Sequence, residues 1–336
     1  MRQVSRFGGE RMKKWIGLVS AVSLLVVAAP VCARDAKPWR HGTVQAKGDA
    51  GFLFMAAEKD FDRKHGLDIE MVTLKGDTLL IKALIAGELD SYEGAIGSPM
   101  IAASKGADIK IIGCHWPKLS YVMWGREGIQ TVADLKGKKI GVSAPGSQPD
   151  LFARALLDKE GLTEADVTVV TAGSDSERIQ ALAAGAIDAA PASSEFSAKA
   201  KEVGAHAVAN AVDALPDAMR RCLYVTGKTL AERPEDAAAF LAAERDAYTH
   251  ALANRDETTA LTRKIAHLKA ESPEPEAVFD EIVTLGIVSR DFKIDPAKLI
   301  WQRDLLAKLG SIDAAYDPAG MTDTAALAAS GAMVGK

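Results

Sequence analysis

Hydrophobic and polar positions switch repeatedly between a period of two and a helical period along the first part of the chain. This pattern predicts strands that alternate with helices, and strands separated by helices of this length indicate parallel βαβ units. Gly66 and Gly87 follow two of the helices, where glycine readily adopts the left-handed conformation that ends a helix. The predicted strands are 41–47, 67–74, 89–93 and 109–115, and the predicted helices are 52–65, 77–86 and 99–105.

The same alternation restarts after residue 120 and gives way to helices after residue 234. Strands are predicted at 120–125, 138–144, 167–171, 187–191 and 205–209, with helices at 150–160, 176–184 and 195–203. A further strand at 221–226 lies where the chain could cross back to the first part. Helices follow at 234–254, 257–269, 274–285 and 296–309. The tail after Gly310 is rich in Ala, Gly and Ser, and we expect it to pack loosely.

Two segments 98 residues apart have nearly the same sequence. Ala83-Leu84-Ile85-Ala86-Gly87-Glu88-Leu89-Asp90 recurs as Ala181-Leu182-Ala183-Ala184-Gly185-Ala186-Ile187-Asp188. Gly48 and Gly146, each in a turn before a predicted helix, keep the same separation. A repeat of this length that occurs twice predicts two similar α/β lobes rather than a solenoid. Loops of two such lobes can face each other across a cleft, where small ligands bind.

The first 33 residues have the pattern of an export signal. Met12-Lys13-Lys14 is basic, residues 15–29 are apolar, and Val31-Cys32-Ala33 offers small residues for a cut before Arg34. Residues 1–11 resemble an upstream extension, so the true start is either Met1 or Met12. Cys32 would suit a lipid anchor, but Val31 precedes it and favours plain cleavage. We therefore expect a periplasmic protein cleaved after Ala33.

The net charge of the chain excludes some classes of partner, and its cysteine content bears on whether it forms a disulfide. Removing residues 1–33 takes away five basic residues and one acidic residue, and the net charge changes from −4 to −8. An acidic chain argues against nucleic acid and anionic membranes as partners. Cys114 and Cys222 remain and could pair in an exported protein. Because a domain of this size buries enough core without a disulfide, we expect two buried, unpaired residues.

The sequence carries no enzyme or metal-site signature that we could find. Gly227-Lys228-Thr229 resembles the end of a P-loop, but Cys222 stands where its first glycine belongs. There is no Gly-x-Ser-x-Gly elbow, and the six histidines form no His-x-x-x-His pair. We therefore expect no enzymatic activity, no cofactor and no metal.

The remaining candidates lie in loops that follow predicted strands, because ligands of doubly wound sheets bind beyond the carboxyl ends of the strands. The helix after Ser147 could hold an anionic group on its first amides, or Ser147 could only cap that helix. Trp116 is expected in a loop as an apolar wall, with core packing as the alternative. Acidic loops would favour a ligand with an amine or ring N–H if they face the cleft, and are otherwise solvated. The candidate ligand-binding residues are Asp49, Gly94, Ala95, Trp116, Gly146, Ser147, Gln148, Ser193 and Glu195.

Several of these segments together resemble one family. They are Ala57-Glu58-Lys59, His65-Gly66-Leu67-Asp68-Ile69-Glu70, the two repeated segments, Pro145-Gly146-Ser147, and Asp134-Leu135-Lys136-Gly137-Lys138-Lys139-Ile140-Gly141-Val142. Their order is similar to that of the periplasmic solute-binding proteins of ABC importers, in the sulfonate, taurine, nitrate and thiamine-precursor group, over residues 41–255. The first loop departs from the family: it reads Lys47-Gly48-Asp49 instead of carrying an aromatic or small polar residue, which argues against a simple sulfonate or nitrate.

The resemblance implies an α/β type II periplasmic-binding-protein fold, with two doubly wound lobes joined by a two-segment hinge. Lobe 1 would comprise residues 34–124 and 224–336, lobe 2 residues 125–223, and the hinge segments would lie near 122–126 and 221–226. A monomer would then bind a small polar organic solute and deliver it to an ABC permease in the inner membrane.

Two other functions fit the same fold. A ligand-sensing periplasmic protein would dock on a signalling receptor, and the sequence alone does not separate this role from transport. The fungal thiamine-pyrimidine synthase is an enzyme of this fold, but this chain lacks its cysteine-rich motif and carries an export signal.

Overall fold

The computed structural model of the protein describes residues 36–44 and 47–335, and within them ten strands form two sheets of five. The predicted export signal and its cleavage site lie outside the described residues. The strands are β1 (Lys37–Val44), β2 (Leu67–Leu74), β3 (Ser91–Gly94), β4 (Lys110–Trp116), β5 (Tyr121–Gly125), β6 (Lys139–Val142), β7 (Thr168–Thr171), β8 (Ala189–Ser193), β9 (His206–Asn210) and β10 (Arg221–Val225).

The two sheets have the same topology. The strand order is β2-β1-β3-β10-β4 in the first sheet and β7-β6-β8-β5-β9 in the second. In each sheet, one strand runs antiparallel to its neighbours: β10 pairs with β3 and β4, and β5 pairs with β8 and β9. These two strands are the first that the chain forms after it passes from one sheet to the other. The common strand order is the structural form of the sequence repeat.

The repeated aspartates perform the same task in both sheets. Asp90 Oδ2 accepts a hydrogen bond from the Arg40 amide of β1 at 2.8 Å, and Asp188 Oδ2 accepts one from the Lys139 amide of β6 at 2.9 Å. Gly87 and Gly185 precede them with φ of 73° and 70°, a conformation that only glycine adopts without strain. The shared motif therefore ends a helix and anchors the next strand beside the first strand of its sheet.

Helices cover both faces of each sheet, as a doubly wound arrangement requires. On one face of the first sheet, Phe240 stacks on Trp39 with ring centroids 5.3 Å apart, and on the other face Leu84 packs with Tyr92. Short 3₁₀ helices cover 132–135, 164–166, 194–196 and 318–321. The α-helices are α1 (Ala50–Leu53), α2 (Met55–Glu58), α3 (Phe61–Lys64), α4 (Asp77–Ile85), α5 (Gly97–Ser104), α6 (Gln148–Lys159), α7 (Asp175–Ala183), α8 (Ser197–Glu202), α9 (Ala211–Ala214), α10 (Gly227–Glu232), α11 (Pro234–Ala253), α12 (Arg255–Ile265), α13 (Glu274–Leu285), α14 (Pro296–Lys308) and α15 (Ala325–Ser330).

The structure departs from the sequence prediction in three places. The predicted helix 52–65 is broken into α1, α2 and α3, with Asp60 at a left-handed φ of 57° before α3. The tail does not pack loosely throughout: Met321 and Ser330 are buried, and the Asp323 amide donates to the Ile111 carbonyl of β4. The predicted hinge segments 122–126 and 221–226 lie almost wholly within β5 and β10, so the segments that pass between the sheets are instead 117–120 and 211–220.

Candidate functional site

Loops from both sheets meet at the edge that holds the carboxyl ends of the parallel strands. Asp49 precedes α1 in the loop after β1, Glu93 lies near the end of β3, and Glu195 follows β8. Because β10 is antiparallel to its neighbours, its first residues lie at this same edge. Arg220 and Arg221 therefore reach the loops that follow the parallel strands.

Asp49 is held by two guanidinium groups. Arg220 Nη2 donates to Asp49 Oδ2 at 2.9 Å, and Arg221 Nη2 lies 3.1 Å from the same oxygen. Burial alone would raise the pKa of Asp49, but Arg221 and Arg220 outweigh it and hold the pKa below its usual value. The carboxylate is therefore ionised although it is fully buried.

Glu93 is the centre of a second buried group in the first sheet. Thr43 Oγ1 donates to Glu93 Oε1 at 2.6 Å, His115 Nε2 donates to Glu93 Oε2 at 2.7 Å, and Arg221 Nη1 lies 3.4 Å from Oε1. Burial raises the pKa of Glu93, yet the His115 hydrogen bond and the Arg221 charge lower it to about 2. Arg221 thus joins Glu93 and Asp49 into one network.

Lys47 connects the first sheet to the second. Its Nζ donates to Asp175 Oδ2 at 2.6 Å and lies 3.7 Å from Glu195 Oε1. Asp175 begins α7 and Glu195 lies in the short helix after β8, so both carboxylates belong to the lobe of the second sheet. The Ser193 hydroxyl donates to Glu195 Oε1 at 2.7 Å. Burial lowers the pKa of Lys47, but Glu195 and Asp175 together raise it above its usual value. The two lobes therefore contact each other through a half-buried lysine and two buried carboxylates.

Two carboxylate oxygens in this network lack a donor. Asp49 Oδ1 and Glu195 Oε2 are buried and have no hydrogen-bond partner among residues 36–44 and 47–335. Burial and the nearby Asp49 charge raise the pKa of Glu195. An unpartnered buried oxygen costs about 1–3 kcal/mol, so these two atoms mark a position where a donor would bind favourably.

The structure places Gly94 and Ala95 beside this network. A Cβ at Gly94 would lie 2.3 Å from Asp77 Oδ1, so only glycine leaves room for that carboxyl group. The Tyr224 hydroxyl donates to the Ala95 carbonyl at 3.0 Å. Burial raises the pKa of Asp77 to about 6, although Arg221 lowers it in part. This part of the edge is built from small residues around a buried carboxyl group.

The predicted residues before α6 have mainly local contacts. Ser147 is the N-cap residue of α6, as predicted, but its hydroxyl donates to the Ala144 carbonyl at 2.6 Å and makes no hydrogen bond to the helix amides. The Gly146 amide donates to Asp150 Oδ2 at 2.7 Å. Asp150 lies in the first turn of α6, so a carboxylate of the helix itself lies near the position where we expected an anionic ligand. Gln148 shares a small cavity of about 10 Å³ with Leu119 and Gln302.

Trp116 lies in the core rather than in a loop. It is the last residue of β4, it is fully buried, and its Nε1 donates to the Tyr248 hydroxyl at 3.0 Å. The Arg220 and Arg221 guanidinium groups lie 4.8 Å and 5.6 Å from its ring centroid. The expectation of a loop residue was therefore wrong. Trp116 packs below the charged residues and supports the two arginines.

Sequence reasoning missed the cations of the site. The acidic loops were expected either to face a ligand or to be solvated, whereas Lys47, Arg220 and Arg221 pair with their carboxylates. One signal was available, because Arg220-Arg221 begins the predicted strand that returns to the first lobe. A strand that crosses back must start at the edge between the lobes.

A larger cavity lies elsewhere on the molecule. It measures about 380 Å³ and lies between α6 and α14, where Trp301, Asp217 and Lys159 contribute to its walls. Lys308 pairs with Asp158 at its rim, and both side chains are exposed. Solvent compensates such charges already, so the buried network between the lobes is the stronger candidate.

The described part of the chain contains neither a metal-binding cluster nor a helix that could span a membrane. Among residues 36–44 and 47–335, no group of three or more His, Cys, Asp or Glu side chains is arranged to hold a metal ion. Within the same residues, no helix has the length and apolar character that crossing a membrane requires.

His41, which lies beside the network, makes stability depend on pH. The Trp39 indole N–H donates to Ser91 Oγ at 2.7 Å, and the Ser91 hydroxyl proton can then point to His41 Nδ1, also at 2.7 Å. This arrangement keeps the ring neutral. Burial lowers the pKa of His41 from 6.5 to about 4, in spite of the Glu93 charge that raises it.

We expect the folded state to lose stability as pH falls from 6.5 to 4. In that window the unfolded chain binds a proton at His41 and the folded chain does not, which amounts to about 3 kcal/mol. The His41→Asn variant lacks this titration, so its free energy of unfolding should fall less between pH 7 and pH 4.5. Urea unfolding at several pH values measures how the free energy of unfolding changes with pH in each protein. Burial also lowers the pKa of His115, but His115 is present in both proteins and contributes to both pH dependences. If the free energy of unfolding depends on pH equally in the two proteins, His41 is not the group responsible.

Comparison with known proteins supports the fold and the family. The profile of the family described as "NMT1/THI5 like" matches residues 48–258. A protein of Brucella abortus (strain 2308) that is named as a binding protein is 28% identical to this chain over 305 residues. The alignment covers 89% of this chain and 94% of that protein.

Two solved structures illustrate the range of functions on this fold. The periplasmic aliphatic sulphonate binding protein SsuA from Escherichia coli aligns with a TM-score of 0.70 and 21% identity, over 85% of this chain and 91% of that one. The desulfurization enzyme DSZB aligns with a TM-score of 0.63 and 18% identity, over 88% and 99%. The type II periplasmic-binding-protein fold predicted from the sequence is confirmed. Because the family profile covers more than half of the sequence, the chain belongs to the NMT1/THI5-like family.

Proposed function

We propose that this protein is the extracytoplasmic solute-binding subunit of an ABC importer. It captures a small polar organic solute between its lobes and delivers it to a membrane permease. The observation that carries the proposal is the buried network in which Lys47 of one lobe contacts Asp175 and Glu195 of the other. Contacts of this kind exist only while the lobes are closed. A solute that binds both lobes therefore shifts the equilibrium between open and closed forms.

The site of this solute is the edge where the two sheets meet. Asp49 and Glu195 are its principal residues, because each offers an unpartnered buried oxygen. Gly94, Ala95, Gly146, Ser147 and Ser193 would line the cleft once it opens, with Trp116 beneath the arginines. We assign Gln148 a lesser part, since its side chain lies beside Leu119 and Gln302.

Location and partners follow from the same proposal. The protein would act in the periplasm as a monomer, cleaved after Ala33, with two lobes that correspond to the two sheets. The lobe boundaries predicted at 124/125 and 223/224 then move to 117–120 and 211–220, so that β5 and β10 stay whole. The names of several related proteins support this, since SsuA from Escherichia coli is a periplasmic binding protein.

Binding without turnover is part of the proposal, although DSZB shows that the fold also supports catalysis. The cysteine-rich motif of the fungal synthase has no counterpart here, because the sequence has only three widely spaced cysteines, and Cys114 and Cys222 are joined in a disulfide. We expect native mass spectrometry of protein purified from the periplasm to find one bound solute. That solute should be recovered chemically unchanged after incubation. A changed product would overturn the binding function.

Replacing Glu195 should weaken binding of this solute. We expect Glu195→Ala to raise the Kd at least tenfold, about 1.4 kcal/mol, because it removes a buried acceptor at the lobe interface. Isothermal titration calorimetry with the recovered solute measures the change. Glu202→Ala is the matched control, since Glu202 lies on the exposed end of α8 in the same lobe. Equal affinities of the two variants would refute the proposed site.

A further inference from the structure

The second lobe contains a cation site that the protein itself fills. Asp175 and Glu195 approach the Lys47 ammonium group at 2.6 Å and 3.7 Å, and the Phe196 ring centroid lies 5.5 Å from it. The carboxylates are 8% and 2% exposed. Two buried carboxylates and an aromatic face are the groups that recognise an organic ammonium ion. Here, the ammonium ion comes from a loop of the opposite lobe.

The same site has unused acceptors. Asp49 Oδ1 and Glu195 Oε2 have no donor among the residues that the structure describes. The Gly48 backbone lies against the second of these oxygens: a Cβ at this position would be 3.2 Å from Glu195 Oε2 and 3.1 Å from Glu274 Oε1. Lys47 thus satisfies part of the acceptor set and leaves at least two oxygens for further N–H donors.

The charge balance indicates the sign of the ligand. Lys47, Arg178, Arg220 and Arg221 face the carboxylates of Asp49, Glu93, Asp175 and Glu195. The carboxyl groups of Asp77 and Glu274 lie beside them, so the closed network has no excess of positive charge. If Lys47 moves into solvent as the lobes open, one negative charge is left without a partner. A buried charge without a partner is strongly unfavourable. A monocation would restore the balance, whereas an anion such as a sulfonate would leave the arginines bound to their present partners and add a charge.

We propose that the cleft binds an organic cation with several N–H donors, a primary ammonium or an amidinium, and that the Lys47 ammonium group occupies its place in the solute-free closed form. This inference rests on the proposed solute-binding function and specifies its ligand class. Lys47 is then an internal competitor that the solute displaces. Its position explains how the carboxylates of Asp175 and Glu195 have a cation beside them in a closed form without a ligand.

Matched probes of opposite charge test the proposal. Benzamidine and benzenesulfonate share one ring, and ethylammonium and ethanesulfonate share one carbon frame. We expect calorimetry to show that both cations bind the full mature protein more tightly than the corresponding sulfonates. The Lys47→Met variant should bind benzamidine at least tenfold more tightly than the wild type, because its internal competitor is gone. Glu195→Gln, which keeps the shape but removes the charge, should lose this binding.

A surface variant and a second readout complete the test. Lys201→Met, on the exposed face of α8, should leave the benzamidine affinity unchanged. Thermal unfolding without benzamidine verifies that each variant is folded. The shift of the unfolding temperature with benzamidine gives a second comparison of its affinity for the wild type and the variants. Tighter binding of the sulfonates, or an unchanged benzamidine affinity in Lys47→Met, would overturn the cationic ligand while leaving solute binding intact. The cation proposal also fails if no probe binds, whereas the broader function fails only if the recovered solute is also absent or altered.

Discussion

Replacing Arg221 with methionine is expected to lower the free energy of unfolding by about 3–5 kcal/mol, the cost of removing one member of a buried ion pair. Arg221 is 7% exposed and contacts two carboxylates, Asp49 at 3.1 Å and Glu93 at 3.4 Å. Methionine fills similar space at the start of β10 but leaves both carboxylates short of a counter-charge. Urea denaturation monitored by circular dichroism measures the loss.

An exposed arginine supplies the matched control. Arg255 forms two hydrogen bonds to Asp280, at 2.8 Å and 2.7 Å, but both side chains are about half exposed. Arg255→Met should therefore cost no more than about 1 kcal/mol, as is usual for a solvated pair. Adding Glu93→Gln to Arg221→Met should recover part of the lost stability by removing one stranded charge. If Arg221→Met lowers the free energy of unfolding no more than Arg255→Met does, the buried network stabilises the protein no more than an exposed ion pair.

Much of the fold could be predicted from the sequence because local patterns determine it. The helix predicted at 274–285 has those bounds in the structure, and so has the strand at 67–74. The repeat predicted two similar lobes, and the two sheets share one strand order. What failed was the long helix 52–65, since its apolar period continues through Asp60, where the backbone turns left-handed. Periodicity reports which face is buried, and it does not show where a helix is interrupted.

The candidate site was predicted less completely, for a different reason. Asp49, Ser193 and Glu195 lie where strand ends meet, as the rule for doubly wound sheets predicts. Lys47 was seen in its loop, but its contact with Asp175 joins residues 128 apart in sequence. A flexible side chain can reach several positions, so its partner depends on how the lobes pack. Short acidic side chains near a strand end are therefore easier to locate than the cations that neutralise them.

The path of the chain between the lobes makes one covalent bond especially effective. Cys114 lies on β4, just before the chain leaves the first sheet, and Cys222 lies on β10, just after it returns. The two residues are joined in a disulfide, contrary to the expectation of unpaired cysteines, because the strand order places β4 and β10 side by side. The bond closes a loop that contains every strand of the second sheet, with a sequence separation of 108.

Removing this disulfide should destabilise the protein strongly. A crosslink that closes a loop of about 100 residues lowers the conformational entropy of the unfolded chain. In the chain-entropy treatment this raises the free energy of the unfolded state by roughly 4–5 kcal/mol. We therefore expect the double variant Cys114→Ala with Cys222→Ala to lose about 4 kcal/mol of unfolding free energy, while its folded state keeps both sheets. Guanidinium denaturation of the mature protein measures the loss, and alkylation of the unfolded chain followed by peptide mapping verifies the bond.

A reducing agent distinguishes the crosslink from the packing of the two side chains. Both cysteines are fully buried, so replacing them with alanine also removes two sulfur atoms from the core. Wild-type protein unfolded and refolded with dithiothreitol keeps those atoms but lacks the bond, and it should approach the stability of the double variant. The double variant itself should not respond to dithiothreitol. If reduced wild type remains as stable as the oxidised protein, the crosslink is not what holds the entry and exit of the second lobe together. Stability there would instead come from the hydrogen bonds between β4 and β10.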